Sequence, residues 1–190
     1  MESVQKNKFD AIVIGSGISG GWAAKELCEA GLKTLVLERG RDVKHVKDYP
    51  TAMKDPWEFS HGNKIPKREA NPIVSKCYAY DAGTEQFFVK DEKHPYVQEK
   101  PFDWIRGYQV GGKSLIWARQ TQRWSQYEFD APKRDGYAVE WPISYQELAP
   151  FYTQVEKFVG ISGNKDGISS LPDGHFLKPW ELNCVEKHVQ

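Results

Sequence analysis

The 190-residue sequence has no excess of charge of either sign, because 26 Lys and Arg residues balance 26 Asp and Glu residues. This balance gives no support to binding of nucleic acid or of an anionic membrane surface. The sequence also lacks any run that approaches the roughly 20 apolar residues of a membrane-spanning helix. Its first eight residues, MESVQKNK, are polar and do not form a leader with a basic end and an apolar run. We therefore expect no nucleic-acid partner and no membrane span.

Cysteine is scarce, with only Cys28, Cys77 and Cys184 and no CxxC pair. Because the number is odd and the spacing wide, we expect neither a disulfide framework nor a zinc site, and a reducing, cytoplasmic location is the default. Cys28 is expected to pack as a small apolar residue on the first helix. The histidines also lack metal-ligand spacing, so no metal site is predicted. They are His45, His61, His94, His175 and His188.

Residues 9–40 have the pattern of a strand, a glycine-rich turn, a helix and a second strand that ends at an acidic residue. Phe9–Ile14 is a short apolar run, typical of a parallel strand buried on both faces. The helix follows the glycines, and Gly31 is suited to end it. Thr34–Leu37 is the second strand. This order predicts the start of an α/β fold.

The glycines have the spacing of a dinucleotide-binding motif. Gly15 permits a tight turn, Gly17 lets the backbone approach a pyrophosphate, and Gly20 lets the helix pack closely on the strand. The helix N-terminus offers N–H groups and a positive dipole end to phosphates. Glu38, at roughly the 20-residue distance that the motif requires, can accept hydrogen bonds from both ribose hydroxyls and would repel the 2′-phosphate of NADP. The sequence ERG at residues 38–40 is more typical of FAD-binding than of NAD-binding versions of the fold. FAD is therefore the expected cofactor, and a merely structural glycine turn is the alternative.

Residues 41–104 interrupt the pattern with six prolines and no strong helical period. Two candidate strands, Lys76–Asp81 and Gln86–Lys90, would be joined by a turn at residues 82–84. A long irregular insertion is uncommon in a compact domain unless it serves as a lid or an interface, and a solvated loop is the alternative. The charged residues within 64–69 are expected to form a solvated face.

Residues 106–117, RGYQVGGKSLIW, contain a double glycine followed by a serine and an apolar run. This order suggests a backbone that lies close against a flat ligand before a short helix begins. Ser114 could donate a hydrogen bond to that ligand, and Trp117 could pack on it. The alternative is an ordinary turn before a core helix.

A helix is predicted after Pro142, because Ser144 and Glu147 have the spacing of a capping box. It should run to about Val159 and end at Gly160. Its apolar residues recur at steps of three and four, which predicts a stripe that faces a core rather than a ligand. They are Leu148, Phe151, Tyr152, Val155 and Phe158.

These stretches together resemble the N-terminal part of the glucose–methanol–choline (GMC) flavin oxidoreductases, over most of residues 9–163. The resemblance rests on the first glycine motif, RGYQVGGKSLIWA, RWSQYEFD and WPISYQELAPFYTQVEKFVGISG. It is strongest for the branch of gluconate dehydrogenase, fructose dehydrogenase and pyranose oxidase. It implies a Rossmann-type FAD-binding fold of the two-domain GMC/PHBH-like kind, present as its N-terminal part. It also implies oxidation of the CH–OH group of a sugar, polyol or related alcohol to a carbonyl, with hydride transfer to flavin N5 and an unknown electron acceptor.

The resemblance also implies a set of cofactor-binding residues. They are Gly15, Gly17, Ile18, Ser19 and Gly20 at the pyrophosphate, Glu38 and Arg39 at the adenosine end, and Arg106, Val110, Gly111, Gly112, Ser114 and Trp117 on the flavin side. The pyranose-oxidase pattern has a histidine that carries flavin covalently where this chain has Ile116, so we expect a non-covalent flavin. The more typical family pattern has an asparagine where this chain has Trp117.

The family places its catalytic histidine, with a His or Asn partner, near the far C-terminus. No residue here matches that pair, and we assign no catalytic residue, including His175 and His188. We expect residues 1–40 to be the βαβ start of the FAD domain, 41–105 the insertion, 106–140 the second flavin-contacting stretch, and 141–190 the truncated start of a substrate domain.

Two strands and one helix cannot form a covered parallel sheet. We therefore expect the remainder of a longer polypeptide, or a second chain, to complete the fold, and the isolated chain to be poorly soluble and to bind FAD weakly. The alternatives are an NAD-dependent or non-GMC Rossmann flavoprotein, and a catalytically incomplete nucleotide-binding fragment.

Overall fold

The structure, a computed structural model, describes residues 8–60, 62–64, 69 and 71–190. His61, the first seven residues and most of the charged run at 64–69 lie outside the described residues. Contacts divide the chain into one unit that ends at Ala118 and a second that covers residues 119–190. The segment boundaries at residues 40, 105 and 140 stay predictions.

The first unit begins with the predicted strand, helix and strand. They are β1 (Ala11–Ile14), α1 (Ile18–Glu29) and β2 (Thr34–Leu37). The two strands pair in parallel, with Ala11 opposite Thr34 and Ile14 opposite Leu37. β2 has the predicted bounds, whereas β1 begins after Asp10, whose carboxylate instead accepts the Lys33 N–H at 2.8 Å.

Gly31 ends α1 as predicted. It has a φ of +83°, and its N–H donates to the Cys28 carbonyl at 2.9 Å while the Leu32 N–H donates to the Leu27 carbonyl at 3.0 Å. This pair of bonds is the Schellman motif, which a left-handed glycine favours. Cys28 is exposed, contrary to the prediction that it packs, because α1 has no buried residue in this chain.

The two-stranded sheet is covered on one side only. Gly20 of α1 faces Val13, since a Cβ on this glycine would lie 3.4 Å from Val13 Cγ1. Because side chains alternate along a strand, Ile12 and Ile14 point to the opposite face, as does Leu37. These three side chains are 61%, 85% and 48% exposed. The predicted burial of β1 on both faces is therefore wrong for this chain, because no described residue covers this face.

The predicted strands Lys76–Asp81 and Gln86–Lys90 do not form. The Asp81 carboxylate accepts the N–H groups of Gly83 and Thr84 at 2.8 and 3.0 Å, which confirms the predicted turn. Such local side-chain bonds compete with a strand ladder. The described part of the insertion instead contains short 3₁₀ turns at Pro56–Glu58, Val74–Lys76 and Glu85–Phe87.

The insertion contains a small hydrophobic core and is not simply a solvated loop. Val74, Tyr80 and Phe88 are all nearly fully buried. The rings of Tyr80 and Phe88 meet edge to face, with centroids 5.3 Å apart. Ile105 and Ile116 pack against this cluster, so the insertion is attached to the second glycine-rich stretch.

The second unit is helical, and its longest helix begins and ends as predicted. Ser144 Oγ accepts the Glu147 N–H at 3.3 Å, the Glu147 carboxylate accepts the Ser144 N–H at 2.7 Å, and Gly160 follows the last turn with a φ of +79°. The helices of this unit are α2 (Gln126–Phe129), α3 (Ala131–Asp135), α4 (Tyr145–Val159) and α5 (Cys184–Val189).

The apolar stripe of α4 is only partly buried among the described residues. Phe151 and Phe158 are 61% and 64% exposed, whereas the buried residue of the helix is Glu156. Leu148, Tyr152 and Val155 of the stripe are half-buried, so the prediction that it faces a core is met only in part among the described residues. α4 is held in its own unit by the ion pair of Glu156 with Arg123.

Candidate nucleotide-binding site

The two glycine-rich stretches of the sequence lie against each other. The Gly111 N–H donates to Ser16 Oγ at 3.1 Å, although the two residues are 95 positions apart. A Cβ on Gly112 would lie 3.4 Å from Gly17 Cα. The first turn and the double glycine, each predicted separately to contact a cofactor, therefore form one half-buried backbone surface.

The first turn is tight, and only glycine fits at its first residue and at the residue of α1 that packs against it. Gly15 has a φ of +93°, in the region that favours glycine, and its N–H donates to the Leu37 carbonyl at 2.7 Å. A Cβ on Gly20 would lie 2.0 Å from the Gly15 carbonyl oxygen. This geometry matches the turn and close-packing roles that the spacing predicts for these two glycines.

The N-terminus of α1 faces the turn without a side-chain cap. Gly17 is the N-cap residue, no side chain accepts a hydrogen bond from the first turn, and that turn has no acidic residue. Ile18 and Ser19 are exposed. The first N–H groups of a helix and the positive end of its dipole form a binding site for an anionic group such as a phosphate.

Glu38 follows β2, and its carboxylate is already engaged by the chain. Oε2 accepts the Ser16 N–H at 2.8 Å and the Ser16 hydroxyl at 2.6 Å, and Oε1 accepts the Gly40 N–H at 2.7 Å. The Ser16 hydroxyl, followed by these backbone N–H groups, lowers the pKa of Glu38 below its ordinary value. A carboxylate offers about four acceptor positions, so these three bonds leave about one, for which a ligand hydroxyl would compete with the Arg39 N–H.

The chain after Glu38 is attached to the second stretch. A Cβ on Gly40 would lie 2.2 Å from the backbone of Tyr108 and Gln109. The Arg41 N–H donates to the Tyr108 carbonyl at 3.3 Å, and the Val110 N–H donates to the Arg41 carbonyl at 3.0 Å. The Arg39 guanidinium stacks 3.8 Å from the centre of the Tyr108 ring. The predicted adenosine-end residues and the predicted flavin-side residues are thus joined through residues 108–110.

Arg106 supports this junction from the other side. It is 6% exposed, and its guanidinium donates to the His94 carbonyl at 2.6 Å and to the Tyr108 hydroxyl at 3.1 Å. The guanidinium also lies 4.8 Å from the centre of the Trp104 ring. Its contacts are therefore with the insertion and with Tyr108, rather than with the first glycine turn.

The double glycine leads into a single 3₁₀ turn, Gly112–Leu115, where the sequence predicts a short helix. Gly111 and Gly112 have φ values of +87° and +56°, and a Cβ on Gly111 would lie 2.9 Å from Ser114 Oγ. Ser114 is thus held beside the double glycine. Val110 and Trp117 are 43% and 39% exposed at the two ends of this turn.

The sequence did not mark Ser16 or Tyr108 as members of the site, and it marked Gly40 only as the end of the ERG sequence at residues 38–40. Ser16 occupies a variable position between the motif glycines, so no spacing rule marks it. The need for glycine at residue 40 comes from the neighbouring chain at residues 108–109, which is distant in sequence. A small residue directly after Glu38-Arg39 was the one local signal.

The second unit contains a buried ion pair that the sequence did not reveal. Arg123 Nε and Nη2 donate to the two Glu156 oxygens at 2.8 and 2.6 Å, and the His175 N–H donates to Oε2 at 2.7 Å. Burial alone would raise the pKa of Glu156, but the hydrogen bonds from Arg123 and His175 outweigh it and lower the pKa. The pair joins α4 to the segments before and after it, which is a structural role.

Two predicted absences can be compared with the described residues. No group of three or more His, Cys, Asp or Glu side chains converges there in a way that could hold a metal ion. No helix in that part of the chain has both the length and the apolarity of a membrane span.

A family model described as an NAD(P)-binding Rossmann-like domain matches residues 13–79. The chain is 29% identical over 173 residues to 2-methyl-1,2-propanediol dehydrogenase of Mycolicibacterium austroafricanum, and the match covers 88% of this chain and 27% of that protein. It is 32% identical over 171 residues to the gluconate 2-dehydrogenase flavoprotein of Pantoea cypripedii, with 83% and 26% covered. It is 27% identical over 187 residues to the fructose dehydrogenase large subunit of Gluconobacter japonicus, with 93% and 31% covered.

These matches confirm the predicted Rossmann-type α/β fold and the resemblance to GMC-type dehydrogenases, including the gluconate and fructose enzymes. The chain spans between 26% and 31% of the length of these three relatives. The family model ends at residue 79 and does not reach the second glycine-rich stretch, which contacts the first through Gly111 and Ser16.

Proposed function

We propose that this chain is the FAD-binding part of an oxidoreductase that oxidises the CH–OH group of a sugar, polyol or related alcohol to a carbonyl. The observation that carries the proposal is the contact of the Ser16–Gly17 turn with Gly111–Gly112, because it sets a second stretch of backbone without side chains beside the turn that lets a dinucleotide pyrophosphate approach. The names of the relatives support the chemistry, since they are dehydrogenases of a diol, of gluconate and of fructose.

The residues present fit FAD in three places. The uncapped N-terminus of α1, at residues 17–20, would hold the pyrophosphate. Glu38 would accept a ribose hydroxyl in its remaining acceptor position, with Arg39 near the adenine. The backbone of residues 110–112, with Ser114 and Trp117, would face the flavin, and Arg106 would hold that stretch in place through Tyr108. Bound FAD would supply the hydride acceptor, N5. We propose no catalytic base within this chain.

We further propose that the flavin is held non-covalently. Ile116 has no nucleophilic nitrogen, and it packs against the Val74–Tyr80–Phe88 cluster. Acid precipitation of the purified protein tests this directly, because a non-covalent flavin leaves with the supernatant. Flavin absorbance that stays with the pellet would contradict the proposal.

The open apolar surfaces support the proposal that further protein completes this fold. Ile12, Ile14 and Leu37 are exposed on the sheet, and Phe151 and Phe158 on α4. Either the remainder of a longer polypeptide or a second chain would cover them. We also propose a reducing, cytoplasmic compartment, because all three cysteines are free and Cys28 and Cys184 are exposed.

The experiment that tests the proposed function is anaerobic reduction of the complete protein by a panel of sugars, polyols and simple alcohols. The expected result is loss of the oxidised flavin absorbance with at least one of them. A flavin that none of them reduces, or a protein that purifies and reconstitutes without flavin, would contradict the proposal.

A pair of variants links this activity to the site. Glu38→Gln removes the negative charge and one acceptor group, so it should weaken FAD binding by about tenfold, as loss of a charge-assisted hydrogen bond does. Glu29→Gln is the matched control, because Glu29 is exposed on α1 and its ion pair among the described residues is a surface one, with Lys25 at 2.7 Å. Equal FAD dissociation constants for the two variants would contradict the role of Glu38.

The second candidate function is that of an NAD-dependent dehydrogenase. The observation in its favour is that the matching family model is described as NAD(P)-binding. The similarity to the gluconate 2-dehydrogenase flavoprotein, which extends over 171 residues and so beyond the residues that the family model matches, favours FAD.

A further inference from the structure

The hydroxyl group of Ser16 connects three parts of the chain that are distant in sequence. It donates to Glu38 Oε2 at 2.6 Å and accepts the Gly111 N–H at 3.1 Å. The backbone N–H of Ser16 reaches the same Glu38 oxygen at 2.8 Å. One side chain thus contacts the glycine turn, the end of β2 and the double glycine.

The direction of these hydrogen bonds is fixed by chemistry. A backbone N–H can only donate, and an ionised carboxylate can only accept. The single hydroxyl proton of Ser16 therefore points to Glu38, and an oxygen lone pair faces Gly111. If Glu38 turned away, the Ser16 hydroxyl would lose the acceptor that orients it, and if Glu38 became protonated, that acceptor would lose its negative charge.

We propose that Ser16 is a positioning residue that sets the double-glycine loop, residues 111–112, against the first glycine turn by way of Glu38. Through this connection, a ligand hydroxyl bound at Glu38 and the loop on the flavin side stabilise each other. The identity of the ligand rests on the proposed function, whereas the connection between Ser16, Glu38 and Gly111 does not.

The first test compares Ser16→Ala with Ser75→Ala in the complete protein without FAD. Ser75 is the matched control, because the contact of its hydroxyl with a described residue is an exposed one of 3.4 Å with the Pro72 carbonyl. Loss of the Ser16 hydroxyl should speed hydrogen exchange at the Gly111 amide by about tenfold, the effect of one lost hydrogen bond. Exchange within α1 should stay unchanged in both variants.

The second test is the pH dependence of FAD binding, which a merely structural serine would not alter. The Ser16 hydroxyl is the largest influence that lowers the pKa of Glu38; the N–H groups of Ser16, Gly40 and Arg39 act in the same direction, and burial opposes them. Without the hydroxyl, Glu38 should become protonated at a higher pH. The loss of FAD affinity on acidification should therefore begin at a higher pH in Ser16→Ala than in wild type, and Ser16→Thr, which keeps a hydroxyl, should restore the wild-type profile.

Three results would overturn the proposal. These are unchanged Gly111 exchange in Ser16→Ala, faster exchange throughout α1, and identical pH profiles for Ser16→Ala and wild type. A wild-type protein that does not bind FAD would instead refute the proposed function, and Gly111 exchange in the ligand-free protein would still decide the role of Ser16.

Discussion

Adjacent glycines at the start of α1 allow the close packing of the glycine turn to be tested. A Cβ on Gly20 would lie 2.0 Å from the Gly15 carbonyl oxygen and 3.0 Å from its carbon, whereas a Cβ on Gly21 would meet only the Ser16 carbonyl oxygen at 3.9 Å. Ordinary contact begins near 3.4 Å. Gly20→Ala therefore forces the turn and the helix apart, and Gly21→Ala does not.

The comparison isolates the steric cost. Each substitution replaces glycine by alanine within the same helix, so each gains about 1 kcal/mol of helix propensity. Gly20→Ala additionally overpacks the turn, which costs about 1–3 kcal/mol or more when backbone rather than a flexible side chain must move. The free energy of unfolding of the Gly20→Ala protein should therefore be lower than that of Gly21→Ala by about 1–3 kcal/mol.

Denaturant unfolding of the two variants of the complete protein, each without FAD, measures this difference. A flavin fluorescence titration should also show weaker FAD binding for Gly20→Ala, because the displaced turn carries Ser16 and Gly17, and wild-type binding for Gly21→Ala. Equal stability of the two variants, or a more stable Gly20→Ala, would refute the reasoning.

Three further predictions concern the contacts that hold each unit together. Gly40→Ala should push residue 40 away from residues 108–109 and so speed hydrogen exchange at the Arg41 amide, whereas Gly21→Ala should leave that exchange unchanged. Equal exchange rates at Arg41 in the two variants would contradict the close approach of Gly40 to residues 108–109. Glu156→Gln should destabilise the second unit by about 3–5 kcal/mol in thermal or denaturant unfolding, because the buried Arg123 loses its charge partner. Since the pKa of Glu156 is lowered in the folded protein, its contribution is present at neutral pH and is lost as the pH falls through that pKa. The stability of wild type should therefore fall more steeply in acid than that of Glu156→Gln, and parallel curves would show that the carboxylate is not responsible.

Elements with strong local signals were predictable from the sequence. The bounds of α4 follow from the capping box of Ser144 and Glu147 and from Gly160, and the end of α1 follows from Gly31, because these residues satisfy helix termini without help from distant parts of the chain. The strand between residues 34 and 37 was equally clear, since a short apolar run preceded an acidic residue at the expected distance.

Features that depend on distant partners were not predictable in the same way. The apolar patterns at residues 76–81 and 86–90 fit strands, but the bonds of Asp81 and the packing of Tyr80 on Phe88 produce turns instead. The apolar pattern of α4 gave no indication that Glu156 would be its buried residue, because the partner Arg123 lies 33 positions earlier.

The candidate site shows the same division. Gly15, Gly20 and Glu38 were identified from spacing alone, because each has a backbone or charge requirement that its own motif defines. The contact between Ser16 and Gly111 was not, because it depends on how the insertion returns the chain to the first turn. Sequence patterns therefore indicated both halves of the site, and the structure supplied the connection between them.

The central claim is that the two glycine-rich stretches form one FAD site. The most direct test is an equilibrium titration of the cofactor-free complete protein with FAD and, separately, with NAD⁺, followed by ligand fluorescence or calorimetry. The account predicts that FAD binds more tightly than NAD⁺, and that Glu38→Gln weakens FAD binding. Tighter binding of NAD⁺, with no measurable binding of FAD, would contradict it.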